Sequence, residues 1–168
     1  MLSERWGWIM LWLQIVVTWL HVLFGIFWFG GTLYATFVLG PAVMRLPGQS
    51  QLALFRSLMN RQAPLVFEMA GGITILLGII RGTLLGPIQT LGFLLGTAYG
   101  ITWAIALVLA LGIVAWSHFV TTPTSEPMVQ AMAAGDTGAA RRAAPLLLVE
   151  LAGFFGVFTC MILMRFGL

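Results

Sequence analysis

An apolar run fills nearly all of the first 40 residues and carries one histidine, His21, near its middle. Such a stretch is long enough to cross a bilayer. A backbone in hydrocarbon must satisfy its own hydrogen bonds, so the run is read as a helix. Ionisable side chains at membrane depth are costly, face the bundle interior and mark sites. His21 is therefore the first residue that needs an explanation.

The rest of the chain keeps the same character. Of 168 residues, 60% are hydrophobic and 8% charged, which excludes an ordinary soluble domain or a disordered segment. A span needs about 20 apolar residues, and four segments qualify. They are residues 8–39, ended by Gly40-Pro41; 63–85, ended by Gly86-Pro87; 91–120, ended before Pro123; and 145–166. The expected fold is an all-α integral membrane protein, one domain over residues 1–168. It is a four-transmembrane-helix bundle with short interfacial helices. The first run is too long, and lacks the cleavage site, for a signal peptide, so it reads as a retained span. The first and third runs exceed one bilayer thickness and should tilt or protrude. Between the first two spans, Ser50 can cap an interfacial helix with Leu52, Phe55 and Met59 on one face. In the 121–144 loop, Ser125-Glu126-Pro127 can start a short helix that stops at Gly135. The remainder of that loop is expected to be mobile.

All eight basic residues are arginine. They lie in loops and at helix ends and read as topology determinants, with no nucleic-acid partner. Arg45, Arg56, Arg61, Arg141 and Arg142 lie on one side; Arg5, Arg81 and Arg165 lie on the other. That balance places the first and third loops in the cytoplasm of a bacterial inner membrane and both termini outside. Cys160 is the single cysteine, so no intrachain disulfide forms. Glycines recur every fourth residue at Gly78, Gly82, Gly86 and at Gly92, Gly96, Gly100. Such ladders let helices approach closely, or leave room for a flat cofactor.

On a helix, Gln14, Thr18, His21, Gly25, Trp28 and Thr32 form one polar, small and aromatic stripe. A heme uses such a stripe: an imidazole for iron, a small residue for porphyrin approach, and aromatic walls. The structural alternative is a histidine bonded to a carbonyl or hydroxyl of a neighbouring helix. His118 ends the third run, too far from mid-span to share a metal with His21, and serves either a second site or the interface. Glu68 and Glu150 lie level with His118, Arg61 and Arg142. Buried charges need partners, so Glu68–Arg61 and Glu150–Arg142 contacts are expected, or else a proton path or metal access on that side. Arg61 or Arg81 can clamp heme propionates. Met161 and Met164, beside Cys160, and Met10 offer soft donors suited to Cu(I), although methionine also fills packing gaps. There is no phosphate loop, zinc spacing, Ser-His-Asp set, run of gating arginines or carbonyl filter. No catalytic residue is assigned, and the chain reads as a protein that is not an enzyme on its own.

His21 followed by Trp28-Phe29-Gly30-Gly31-Thr32-Leu33-Tyr34 and Gly40-Pro41 resembles the first span of the copper-resistance protein D (CopD)-like membrane family. Arg56, Arg61, Gly71-Gly72 and Gly78 are similar to its second span, and Glu150 after Arg141-Arg142 to its fourth. That resemblance implies a role in copper movement or tolerance with periplasmic partners. The same first span resembles the HemJ-type membrane protoporphyrinogen oxidases, which implies a b-type heme bound through His21. That family expects an arginine soon after the tyrosine and a lysine in a later span. Here Ala35-Thr36-Phe37 follows Tyr34 and the chain has no lysine, which speaks against the oxidase activity and leaves heme binding standing. Three functions follow as expectations. The first is a heme b electron-transfer protein within or beside a larger redox complex, or a homo-oligomer. The second is a copper protein, and the third a structural subunit without cofactor.

Overall fold

The computed structural model describes residues 2–58 and 62–168. Among them the chain is all helical, and four helices are long and apolar enough to cross a membrane: Trp6–Val43, Pro64–Gly82, Ala98–Ala133 and Ala144–Arg165. The protein is a multi-pass helical bundle whose large exposed apolar side chains, such as Trp12, Trp19, Ile26 and Phe37, suit contact with lipid.

In chain order the helices are α1 (Leu2–Tyr34), α2 (Gly40–Val43), α3 (Gly48–Leu58), α4 (Gln62–Gly82), α5 (Leu91–Gly96), α6 (Ala98–Trp116), α7 (Thr122–Ala133) and α8 (Thr137–Arg165). Helix α1 packs against α4, α6 against α8, and α4 against α6, each pair antiparallel. We call the end bearing residue 6 and Arg165 the terminus side. The other end, where α3 lies on α7, is the cap side. Met59 and Arg61 lie outside the described residues.

The helices run through prolines that were expected to end them. Pro41 and Pro123 each follow a five-residue π-helical turn, Ala35–Leu39 and Ser117–Thr121. In each turn the last backbone bond spans five residues, from Gly40 N to Ala35 O and from Thr122 N to Ser117 O. A proline has no N–H, and its ring collides with the carbonyl four residues earlier. Widening the turn moves the carbonyls out of that register, so the rod continues. The first rod thus ends at Val43, and the third ends at Ala133, where Gly135 takes φ +92° and stops it. The segment expected to be a loop is consequently helical on both sides of a short turn.

The third span also begins later than expected. Thr97 is extended, its hydroxyl accepts from Gly100 N (3.0 Å) and donates to Phe93 O (2.8 Å). It closes α5 and caps α6 at once. Gly92 and Gly96 face open space, and Gly100 alone lets α6 rest on the backbone of Phe93 and Leu94. The Gly92–Gly96–Gly100 ladder is therefore a helix break.

Two features anchor the cap side. Asp136 caps α8 by accepting from Gly138 N (2.8 Å), and Arg142 donates to its carboxylate (2.6 Å). The Arg142 guanidinium, then the Gly138 N–H, hold the Asp136 carboxyl below the usual carboxylate range. Arg142 is thus committed to Asp136, and the expected Glu150–Arg142 contact is not made. Exposed Arg56 on α3 faces Glu126 on α7 at 3.6 Å, a pair worth about 0–1 kcal/mol.

The centre is held by rings set against glycines. Trp28, 8% exposed, lies on Gly71 and meets Phe154 edge-on at 4.7 Å, while Ile113 fills the notch at Gly153. Trp28, Ala70, Ile113 and Phe154 form the buried core. The Trp103 indole fills the space above Gly82, where a Cβ would collide with it. Gly82→Val is expected to unseat α4 from α6 at a cost of about 1–3 kcal/mol, read as a lower melting temperature in detergent. Asp136 predicts a pH effect. Its carboxyl is depressed in the folded state, so its contribution is complete above the ordinary carboxylate range. It is lost as pH falls through the depressed value. Asp136→Asn should flatten that acid limb of a stability–pH curve.

Candidate functional site

Two polar sites occupy different depths of the bundle. The deeper one centres on His21. Its Nδ1 lies 2.8 Å from the Thr74 carbonyl oxygen on α4, which is the bond to a neighbouring helix expected as the structural alternative to metal ligation. A carbonyl only accepts, so Nδ1 carries the hydrogen and Nε2 keeps its lone pair. Thr74 is itself oriented by its hydroxyl, which donates to Ala70 O at 2.7 Å. The imidazole fits because residue 78 is glycine: a Cβ there would lie 3.0 Å from His21 Cε1 and 3.9 Å from Nε2. Nε2 makes no hydrogen bond among the described residues, and none of their buried side-chain nitrogens or oxygens lacks a partner. Nε2 is therefore unbonded and not wholly buried.

Thr74 stands at the middle of the 19-residue α4 span, so His21 lies at mid-membrane depth. The stripe expected on α1 is the face that α1 turns to α4. Gly25 meets the Thr74 methyl at 3.6 Å, Trp28 covers Gly71, and Gly31 receives Phe67. Val17 is buried beside them, Thr18 is half-buried, and Gln14 donates to Leu85 O at 3.4 Å. Thr32 bonds its own helix, its hydroxyl donating to Trp28 O at 3.1 Å. Arg81, exposed, follows Gly78 by three residues on α4 and stands on the terminus side of the imidazole. Arg61 falls outside the described residues.

The soft donors share that depth. Helices α1 and α8 touch at Trp28 and Phe154. Seven residues back along α1 and seven forward along α8 cover the same rise, about 10 Å, and reach His21 and Met161. Buried Cys160 is adjacent, and Met164 lies one turn further towards the terminus side. Sequence spacing did not show this cross-section, because it depends on which helices are neighbours.

The second site lies on the cap side. Thr74 and Glu68 are six residues apart on α4, about 9 Å along the axis. Here His118 Nδ1 donates to Glu68 Oε1 at 3.1 Å, with both side chains substantially exposed. Glu150, only 7% exposed, accepts from the Thr121 hydroxyl at 3.4 Å. Ser117, His118 and Thr121 all belong to the π-helical turn. Trp116 fastens the turn to α8 by donating to Leu146 O at 3.2 Å. His118 is thus paired with a carboxylate well away from His21. No group of three or more metal-ligating His, Cys, Asp or Glu side chains occurs among the described residues.

Comparison with family models, curated proteins and solved structures finds no match to the chain. Gly78 gives a direct test of the His21 geometry. Gly78→Val should push the imidazole off the Thr74 carbonyl. In nitrogen NMR of histidine-labelled protein, the Nδ1–H tautomer of His21 should give way to the other form, with His118 unchanged.

Proposed function

We propose that this protein is a membrane-embedded b-type heme protein for electron transfer, acting as a subunit of, or partner to, a larger redox complex. The observation that carries the reading is the His21 ring at mid-membrane depth, its Nδ1–H fixed on a backbone carbonyl and its Nε2 unbonded. Metal-ligating histidines are characteristically oriented through the second nitrogen in this way. His21 is the described imidazole that could hold an iron at this depth, since His118 is engaged with Glu68 at another. His21 would hold the iron beside half-buried Thr18, and Arg81 would serve a propionate, with Arg61 a second cation for that role; Gly25 and Trp28, expected as flanking residues, are instead packed against α4. The bound porphyrin supplies one-electron exchange. The protein's part is to fix the imidazole, through Thr74 and Gly78, and to surround it with apolar groups. The likeness of the first span to HemJ-type heme proteins supports the same reading.

The orientation we propose follows from the arginines: both termini outside a bacterial cytoplasmic membrane and the cap side within. A second reading, copper handling of the CopD-like type, is favoured by one observation. Cys160 and Met161 lie at the depth of His21, and Met164 lies one turn away. Thiol and thioether donors suit Cu(I).

A reduced-minus-oxidised absorption spectrum of the purified protein separates the readings. A b-type alpha band that disappears in His21→Ala and survives in His118→Ala is the expected result. Stoichiometric copper without that band, lost in Cys160→Ser or Met161→Leu, would replace heme by copper. A protein with neither, and with unchanged partner activity in His21→Ala, would be a structural subunit.

A further inference from the structure

The cap-side cluster does something the heme reading does not use. Glu150 sits inside the fourth span, among Leu151, Phe154 and the other buried side chains of α8. It has no ion-pair partner within 4.0 Å among the described residues; its side-chain hydrogen bond among them comes from the Thr121 hydroxyl. The other titratable side chains described near it face elsewhere. His118 bonds Glu68, Glu126 faces Arg56 and Gln130, Arg142 holds Asp136, and Tyr34 of α1 is exposed. A lone carboxyl at membrane depth is expensive and marks a working group.

The π-helical turn joins this carboxyl to the surface. Thr121 reaches inward to Glu150, while His118, three residues earlier in the same turn, reaches the exposed Glu68. A hydroxyl both donates and accepts, so it can pass a proton without a net change of its own. We propose that Glu150 is a proton-exchange site, loaded from the cap side through the Glu68–His118 pair and the Thr121 hydroxyl. A proton from bulk water is collected at the exposed pair and carried by solvent at the face of the turn to a hydroxyl oxygen. That hydroxyl releases its own proton to a Glu150 oxygen. The balance is one proton taken from the aqueous phase and one carboxylate made neutral, with the hydroxyl restored. The Trp28, Ala70, Ile113 and Phe154 layer lies between this site and His21. The proton therefore stops at Glu150.

Infrared difference spectroscopy of the full chain in lipid nanodiscs, with no heme or copper added, tests this independently of the redox reading. The expected result is a protonated-carboxyl stretch that responds to pH, vanishes in Glu150→Gln and persists in Glu68→Gln. Its shift on transfer to heavy water should be several-fold slower in Thr121→Val and in His118→Ala. Should Glu150→Gln not fold, a displaced band in Thr121→Val makes the same assignment. The proposal is overturned if the wild type shows no such band at any pH, if the band survives in Glu150→Gln, or if exchange is equally fast in both relay variants.

Discussion

The bundle depends on aromatic and imidazole rings packed against glycines of α4. Trp28 lies on Gly71, His21 on Gly78 and Trp103 on Gly82. In hydrocarbon the burial of apolar surface gives helices little reason to associate, so close van der Waals contact and interhelical hydrogen bonds must do it. A ring set into the space of a missing Cβ provides the contact. Where that ring is His21, it provides the hydrogen bond as well. The α4 span has 19 residues, about 28 Å and close to one hydrocarbon thickness. The helices that α4 grips are placed relative to it.

The longer rods follow from how the chain treats its prolines. Both π-helical turns stand directly before a proline and lie on the cap side. Opening the turn carries α1 and α6 past the collision a proline would cause in an α-helix. At Ser117–Thr121 the same distortion brings a hydroxyl to Glu150 and a histidine to Glu68. Short π segments of this kind recur at functional sites.

An apolar layer separates the two polar sites. Trp28, Ala70, Ile113 and Phe154 fill the section between the His21 depth and the Glu68–Glu150 depth. The layer would seal the electron site proposed at His21 from the proton site proposed at Glu150. The aromatic pairs Trp28–Phe154 and Phe29–Phe154 provide that seal, at 4.7 and 5.2 Å between centroids.

Much of this was legible in the chain itself. Runs of about 20 apolar residues leave the backbone no partner but itself, so the four helical spans follow from composition. His21 was recognisable because a titratable group amid such residues has no cheap resting place. Glu68, His118 and Glu150 could be put at one depth by counting residues. The Thr97 break was less legible, since a single hydroxyl bonding in both directions decides it. The helices through Pro41 and Pro123 were not legible at all, because a widened turn leaves no mark in hydropathy. Only tertiary structure decided that His21 meets Thr74, that Arg142 serves Asp136 instead of Glu150, and that Cys160 and Met161 share the depth of His21. Periodicity states which residues share a helix face. It does not state which helix that face meets, and in this protein the partner is chosen by where a glycine leaves space for a ring.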